Sequence, residues 1–197
     1  NSIGAIGVES GSSGTATVTG AGSKWTNSEE LHVGKSGIGT LNVEAGGLVS
    51  NTDGVIGYES GSSGTATVTG AGSEWNSSGS LYIGGNDSSS GGSGTLNLTD
   101  SGLTTVGGTT KLWDTGTLNL NGGNLTTGSF DNSEGGTFNM LDGLLRTDSV
   151  IGDITIQGGI FAPGHSPAVV SITGDYTQGA DAALEIELLG TAAGSEH

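Results

Sequence analysis

The 197-residue chain contains no cysteine, so neither a disulfide framework nor a thiolate metal centre is available to it. It has two prolines and only three each of Phe, Trp and Tyr, too little bulk for an ordinary layered core of this length. Four basic residues, with Arg146 the single arginine, face twenty acidic ones, for a net charge of −16. Such a surface repels phosphate backbones and anionic bilayers, because nucleic-acid affinity rests on Lys and Arg displacing counterions; nucleic acid is therefore excluded as a partner. No apolar run approaches the ~20 residues needed to span a bilayer, so no transmembrane segment is expected. Neither a signal peptide nor an initiator Met is present, and the chain reads as a mature product or an excised piece of something longer.

What the chain does have is glycine, 41 of them, and an internal repeat. Residues 9–23, ESGSSGTATVTGAGS, recur letter for letter at 59–73, a period of 50 residues. Self-similarity at a fixed period marks stacked copies of one unit, none of which can bury its apolar face alone. Within the period lies a shorter beat at Gly14-Thr-Ala-Thr-Val, Gly39-Thr-Leu-Asn-Val, Gly64-Thr-Ala-Thr-Val, Gly94-Thr-Leu-Asn-Leu, Gly116-Thr-Leu-Asn-Leu and Gly136-Thr-Phe-Asn-Met, at spacings of 25, 25, 30, 22 and 20 residues. Each segment alternates polar and apolar side chains, the period-two mark of a strand with one buried face. Aligned, they place Ala16, Leu41, Ala66, Leu96, Leu118 and Phe138 in one inward column and Val18, Val43, Val68, Leu98, Leu120 and Met140 in the next. Between those columns Thr17, Asn42, Thr67, Asn97, Asn119 and Asn139 form an outward ladder whose hydroxyls and amides can hydrogen-bond along the stack. Asp153-Ile-Thr-Ile-Gln157 continues the pattern, with Ile154 and Ile156 inward and Thr155 extending the ladder.

A second strand per unit is visible in Leu31-His-Val-Gly34 and Leu81-Tyr-Ile-Gly84, so each rung holds at least two short strands. Stacking like on like buries every column, whereas hairpin pairing would abandon the register; the fold class is all-β, a parallel β-helix of about 20–25 residues per rung. The chain is read as one β-solenoid domain over 1–197: two long repeats over 1–108, shorter rungs over 109–160 and a distinct C-terminal segment over 161–197. The five-residue insertion within 84–94 is expected to project as a flexible loop. The last apolar alternation, Ala183-Leu-Glu-Ile-Glu-Leu-Leu189, places Leu184, Ile186 and Leu188 inward.

The unit GTATVTGAGSxWxxSxxLxVGxxGxGTLNVxxGGxVS at 14–50, present again with one insertion from 64, resembles the repeat shared by bacterial autotransporter (type V secretion) passengers and PEP-CTERM-anchored surface proteins. The stretch Gly158-Gly-Ile-Phe-Ala-Pro-Gly-His-Ser-Pro167, followed by Ile172-Thr-Gly-Asp-Tyr-Thr-Gln178 and Leu184-Glu-Ile-Glu187, is similar to the segment that closes such passengers. The resemblance implies an exported, right-handed β-helix, displayed on or shed from a Gram-negative-type cell surface, with adhesion or aggregation as its role. The chain carries neither a translocator barrel nor an anchoring helix, which leaves the mode of attachment open.

Candidate chemistry is sparse. Asp87, Asp100, Asp114, Asp131, Asp142, Asp148 and Asp153 suggest a glycan-active β-helix, since glycoside hydrolysis needs two carboxyls across one bond, yet most sit beside Gly, Ser or Asn, where Asp caps turns. Gly84-Gly-Asn-Asp87 hints at one calcium loop without the nonapeptide repetition of calcium β-rolls. His32, His165 and His197 share no zinc-ligand spacing, and the match of His32 to Tyr82 across the repeat marks it as an exposed strand position. Thr15, Thr17 and Thr19 recur as Thr65, Thr67 and Thr69, but the intervening Thr40, Asn42 and Glu44 break a flat threonine lattice of the ice-binding kind. Trp25 and Trp75 occupy one repeat position, either stacking on sugar rings or packing a corner. The sequence expectation is a non-enzymatic extracellular structural or adhesive rod without a cofactor, open to head-to-tail association of its rung edges; the alternatives are a glycan-active enzyme and a calcium-stabilised binding module.

Overall fold

In the computed structural model of the chain, the alternating segments are seven-residue strands at Ser13–Thr19, Ile38–Glu44, Ser63–Thr69 and Ser93–Thr99. The structure describes residues 2–164 and 169–186; His165, Pro167, Leu188 and His197 lie outside them. Every named strand pairs in parallel with its equivalent one coil away, giving a β-solenoid of about eight turns with no helix among the described residues. The register of the first face joins Ala16, Leu41, Ala66, Leu96, Leu118 and Phe138 in one line, and Val18, Val43, Val68, Leu98, Leu120 and Met140 in another. Both columns point inward: Leu41, Ala66, Leu96, Leu98, Leu118, Leu120 and Met140 are fully buried, while Ala16 at the first coil and Phe138 pack against the core from its edge. At about 1.5–3 kcal/mol for each buried Leu or Val, these columns supply much of the cohesion between coils.

Each coil has three faces. The second is built from Lys24–Thr26, Leu48–Asn51 and Glu74–Ser77, then by 103–106, 124–127, 144–147 and 160–163. The third comprises Gly4–Ile6, Leu31–Val33, Gly54–Ile56 and Leu81–Ile83, then 110–112, 129–131, 149–151 and Ser171–Thr173. Past Gly116 the corners tighten. Strands Gly116–Asp131 and Thr137–Ile151 run round them without a break, absorbing the bends as register shifts near Leu120 and Asn121.

Within the two long repeats side-chain bulk alternates from coil to coil, and this is the physical content of the 50-residue period. The first face presents Ala16, Leu41, Ala66 in succession, while the second presents Trp25, Val49, Trp75 and the third Gly4, Leu31, Gly54, Leu81. A large residue on one face is matched by a small one elsewhere, as close packing of the interior requires. Trp75 is fully buried and leans toward the coil below, where a Cβ at Gly54 would come within 3.0 Å of its Cζ2. Its indole Nε1–H donates to Asn51 Oδ1 at 2.7 Å, and the Asn51 amide donates onward to Ser77 Oγ at 2.9 Å, so the polar groups inside this corner satisfy one another.

The glycine that opens each first-face strand is required by close approach. A Cβ at Gly64 would fall on the Val33 carbonyl oxygen and 2.7 Å from Gly57 N, which are the two ends of a hydrogen bond joining adjacent coils. Gly39 and Gly94 face the equivalent bonds, Gly34 N–H to Ile6 O and Gly84 N–H to Ile56 O.

One expectation is qualified here and another corrected. Leu184 continues the inward line of Phe161 and shares its cavity with Ile186, but the two are 40% and 63% exposed, because strand Tyr176–Leu184 stacks on Ile154–Pro163 and none of the described residues stacks on its other side. The insertion after Gly84 does not project freely. It folds back through a bridge between Gly85 and Ser90, with the Asn86 side chain accepting the Ser88 and Ser89 N–H groups and the Asn86 carbonyl accepting the Trp113 indole N–H at 2.8 Å.

Candidate functional site

The outward ladder of the first face assembles as the alternation requires. Thr17, Asn42, Thr67, Asn97, Asn119 and Asn139 are in register along six coils. Asn139 donates to Asn119 and Asn119 to Asn97, both at 2.8 Å, while Asn97 and Asn42 donate to Thr67 and Thr17 at 3.4 and 3.5 Å. The amide-to-amide part is therefore the rigid part, and the amide-to-hydroxyl contacts are at the long limit of a hydrogen bond. Thr155 is exposed one coil further on and pairs in register with Thr177. Beside the ladder stands an unbroken column of Thr15, Thr40, Thr65, Thr95, Thr117 and Thr137. The third outward column, Thr19, Glu44, Thr69, Thr99, is interrupted by the carboxylate of Glu44.

The two tryptophans diverge. Trp75 has no accessible surface and its ring offers no face to a sugar, because the strand Glu74–Ser77 turns it into the core; that half of the stacking expectation is overturned. Trp25, in the first coil, is half-buried and packs against the same core from its edge.

His32 is likewise not the exposed strand residue expected from its match to Tyr82. It occupies an outward position of the third face yet is 3% exposed, because Tyr58 from the next coil lies over it edge-on with ring centroids 4.9 Å apart. Burial pushes the imidazole below its ordinary pKa, against the opposing pull of Glu30, whose carboxylate oxygen Oε2 lies 2.7 Å from Nε2. A neutral ring donating from Nε2 leaves Nδ1 as a bare lone pair, and Nδ1 is buried without a partner.

Several of the candidate carboxylates serve the backbone. Asp142 and Asp153 accept the Gly143 and Asp175 N–H groups, and Asp100 takes a corner position with φ of 50° while accepting the Thr69 hydroxyl at 3.1 Å. Asp131 accepts the Ser133 N–H and pairs with Lys111, 2.9 Å away. Burial alone would raise the Asp131 carboxyl; the hydrogen bonds from Lys111 and Ser133 outweigh it and hold the group below its usual range. Lys111 Nζ also lies 4.8 Å from the Trp113 ring centroid, a cation–π contact. Among the described residues no three acidic or histidine side chains are grouped so as to hold a metal ion, and no helix is long and apolar enough to cross a membrane. Asp87 lines a small cavity on the third face together with Glu30 and Asp53.

No protein-family model, curated protein or solved structure matches this chain.

Proposed function

We propose that this chain is a stretch of an extracellular bacterial surface rod, acting through its length and its repeated lateral surface rather than through turnover of a substrate. The observation that carries the reading is the ladder from Thr17 to Asn139, one outward chemistry repeated in register on successive coils. A polyvalent, uncharged stripe on a stiff spacer suits contact with a repeating or many-copied partner, where avidity compensates for weak single contacts. The resemblance of residues 14–50 to autotransporter and PEP-CTERM-associated repeats supports display outside the cell. The test is twofold: protease shaving and antibody labelling of intact producing cells, and deletion of the coding segment followed by adhesion and aggregation assays. Labelling at the surface together with reduced adhesion or aggregation is expected. A protein shielded inside the cell, or catalytic turnover in a polysaccharide panel, would overturn the reading.

A second reading, head-to-tail association, is favoured by the apolar face of the last described coil. There Phe161, Val170, Ile172, Tyr176, Leu184 and Ile186 line a cavity of about 260 Å³. A parallel stack leaves two edges of matching strand direction, so the last coil of one copy can pair with the first coil of the next. Sedimentation of the purified protein should show assembly that grows with salt, as the charge of −16 is screened, and that Leu184→Asp with Ile186→Asp abolishes. A strictly monomeric species at high concentration and salt would sink it.

A further inference from the structure

The third face carries a cavity that the rod reading does not use. Its outward column runs Ala5, His32, Val55, Tyr82, Lys111, and an outward position on a solenoid is ordinarily wet. Val55 is instead only 3% exposed. It lies at the base of a hollow of about 160 Å³ lined also by Glu30, Asp53, Tyr58, Tyr82, Asn86 and Asp87. Three consecutive coils contribute to it, as does the insertion after Gly84, which is the one departure from the 25-residue beat within the two long repeats.

The walls are held in place. Tyr58 is locked edge-on against His32, Glu30 is hydrogen-bonded to the same imidazole, Asp53 Oδ1 accepts the Ser80 N–H at 2.6 Å, and Asn86 is pinned through the Trp113 indole. His32 is nine-tenths buried behind Glu30 and Tyr58, with its Nδ1 unpaired. Such fixed surroundings spare a ligand the cost of ordering the site.

The chemistry of the lining is one-sided. Three carboxylates and two phenol rings surround an apolar base, no lysine or arginine lines the hollow, and burial lowers the pKa of His32 behind it. Carboxylates attract a cation and accept hydrogen bonds from an ammonium N–H, and neighbouring aromatic rings add to that attraction, whereas a metal ion needs several convergent oxygens. No such convergent group exists among the described residues. Size narrows the choice further. At about 160 Å³ the hollow is well short of the ~300 Å³ at which drug-sized clefts begin, which suits a single small group such as a short alkyl chain ending in –NH₃⁺.

We infer that this hollow binds a primary alkylammonium group, its methylenes against Val55 and the tyrosine rings and its charge among Glu30, Asp53 and Asp87. Two sources share that chemistry, a lysine side chain on a partner protein and a free polyamine. The site stands independently of the adhesive reading, since a soluble protein of any location could carry it.

The test is a titration of the intact chain with n-butylammonium chloride followed by ¹H–¹⁵N correlation spectra, with n-butanol as the neutral isostere. Saturable shifts confined to the neighbourhood of Glu30, Val55, Tyr58, Tyr82 and Asp87 are expected, with a dissociation constant on the order of millimolar for so small a ligand. Glu30→Gln with Asp87→Asn should weaken binding at least tenfold while leaving the circular dichroism and melting temperature close to native. Should that variant fold poorly, the native chain still decides: raising salt from 50 to 500 mM must weaken butylammonium several-fold. Tighter binding of Nα-acetyl-lysine methylamide than of 1,5-diaminopentane would assign the site to a protein partner, and the reverse to a polyamine. Equal binding of butanol, absence of saturation, or an affinity indifferent to both carboxylates and salt would overturn the proposal.

Discussion

Gly64→Ala tests the packing of the whole stack through a single methyl group. Gly64 has no positive φ to forfeit, so the substitution adds steric cost alone. The new Cβ would strike the Val33 carbonyl oxygen, sit 2.7 Å from Gly57 N and press on Ile56 Cγ2 at 2.8 Å. The first two atoms are the acceptor and donor of a 3.0 Å backbone hydrogen bond between adjacent coils, so relief demands moving backbone rather than a side-chain tip. Overpacking ordinarily costs about 1–3 kcal/mol, and an obstacle made of hydrogen-bonded backbone places this case at the upper end, at least about 3 kcal/mol. For a chain of this size about 2–4 °C of melting temperature accompanies each kcal/mol, so a fall of about 6–12 °C is expected. Gly61→Ala is the matched control: nothing lies within 4 Å of its Cβ, and only its φ of 84° is penalised, at about 1–2 kcal/mol. Urea titrations and thermal scans of both variants decide. A Gly64→Ala protein melting within about 2 °C of native, or losing less than Gly61→Ala, would refute the close-approach argument.

Three further outcomes are expected. Burial lowers the His32 pKa in the folded chain, so the unfolded state binds the proton more readily; the contribution of neutral His32 is present above its ordinary value of about 6.5 and is lost as pH falls below it. Melting temperatures from pH 7.5 down to 5 should show that slope, and His32→Gln should flatten it. Lys111→Met removes the partner of Asp131, whose side chain is 16% exposed, and should cost about 1.5–3 kcal/mol while the Asp131 carboxyl rises, as read by urea denaturation and carboxyl NMR. Trp75→Phe keeps most of the bulk but orphans Asn51 Oδ1, costing about 1–3 kcal/mol in urea, whereas Trp25→Phe in the first coil should cost less.

The inward columns and the ladder were legible because period-two alternation in the GTxTV and GTLNV segments is a local property that stacking merely repeats. The second face was not, since its inward positions mix apolar and polar residues: Val49 with Asn51 and Trp75 with Ser77. That alternation becomes intelligible only once Trp75 is seen to donate to Asn51 across coils. His32 escaped for a related reason. Its cover, Tyr58, lies 26 residues away, and no spacing rule links an outward strand position to a corner of the next coil. The hollow around Val55 was hidden in the same way, assembled from corners of three coils and an insertion that reads in isolation as a flexible Gly/Ser loop.

The alternation of bulk between coils fixes how such a rod can change length. A coil bearing Ala66 and Trp75 fits above one bearing Leu41 and Val49, with Gly54 and Asn51 already shaped to receive the indole. Copying a single coil would set tryptophan upon tryptophan and alanine upon alanine, a clash on one side of the interior and a void on the other. Copying two restores every neighbour, which accounts for an identity that returns at 50 residues and not at 25. Within the two long repeats the unit of duplication is therefore a coil pair, about 10 Å of rod at ~4.8 Å per coil, whereas the shorter coils beyond them, where Leu96, Leu118 and Phe138 stack without alternation, carry no such constraint.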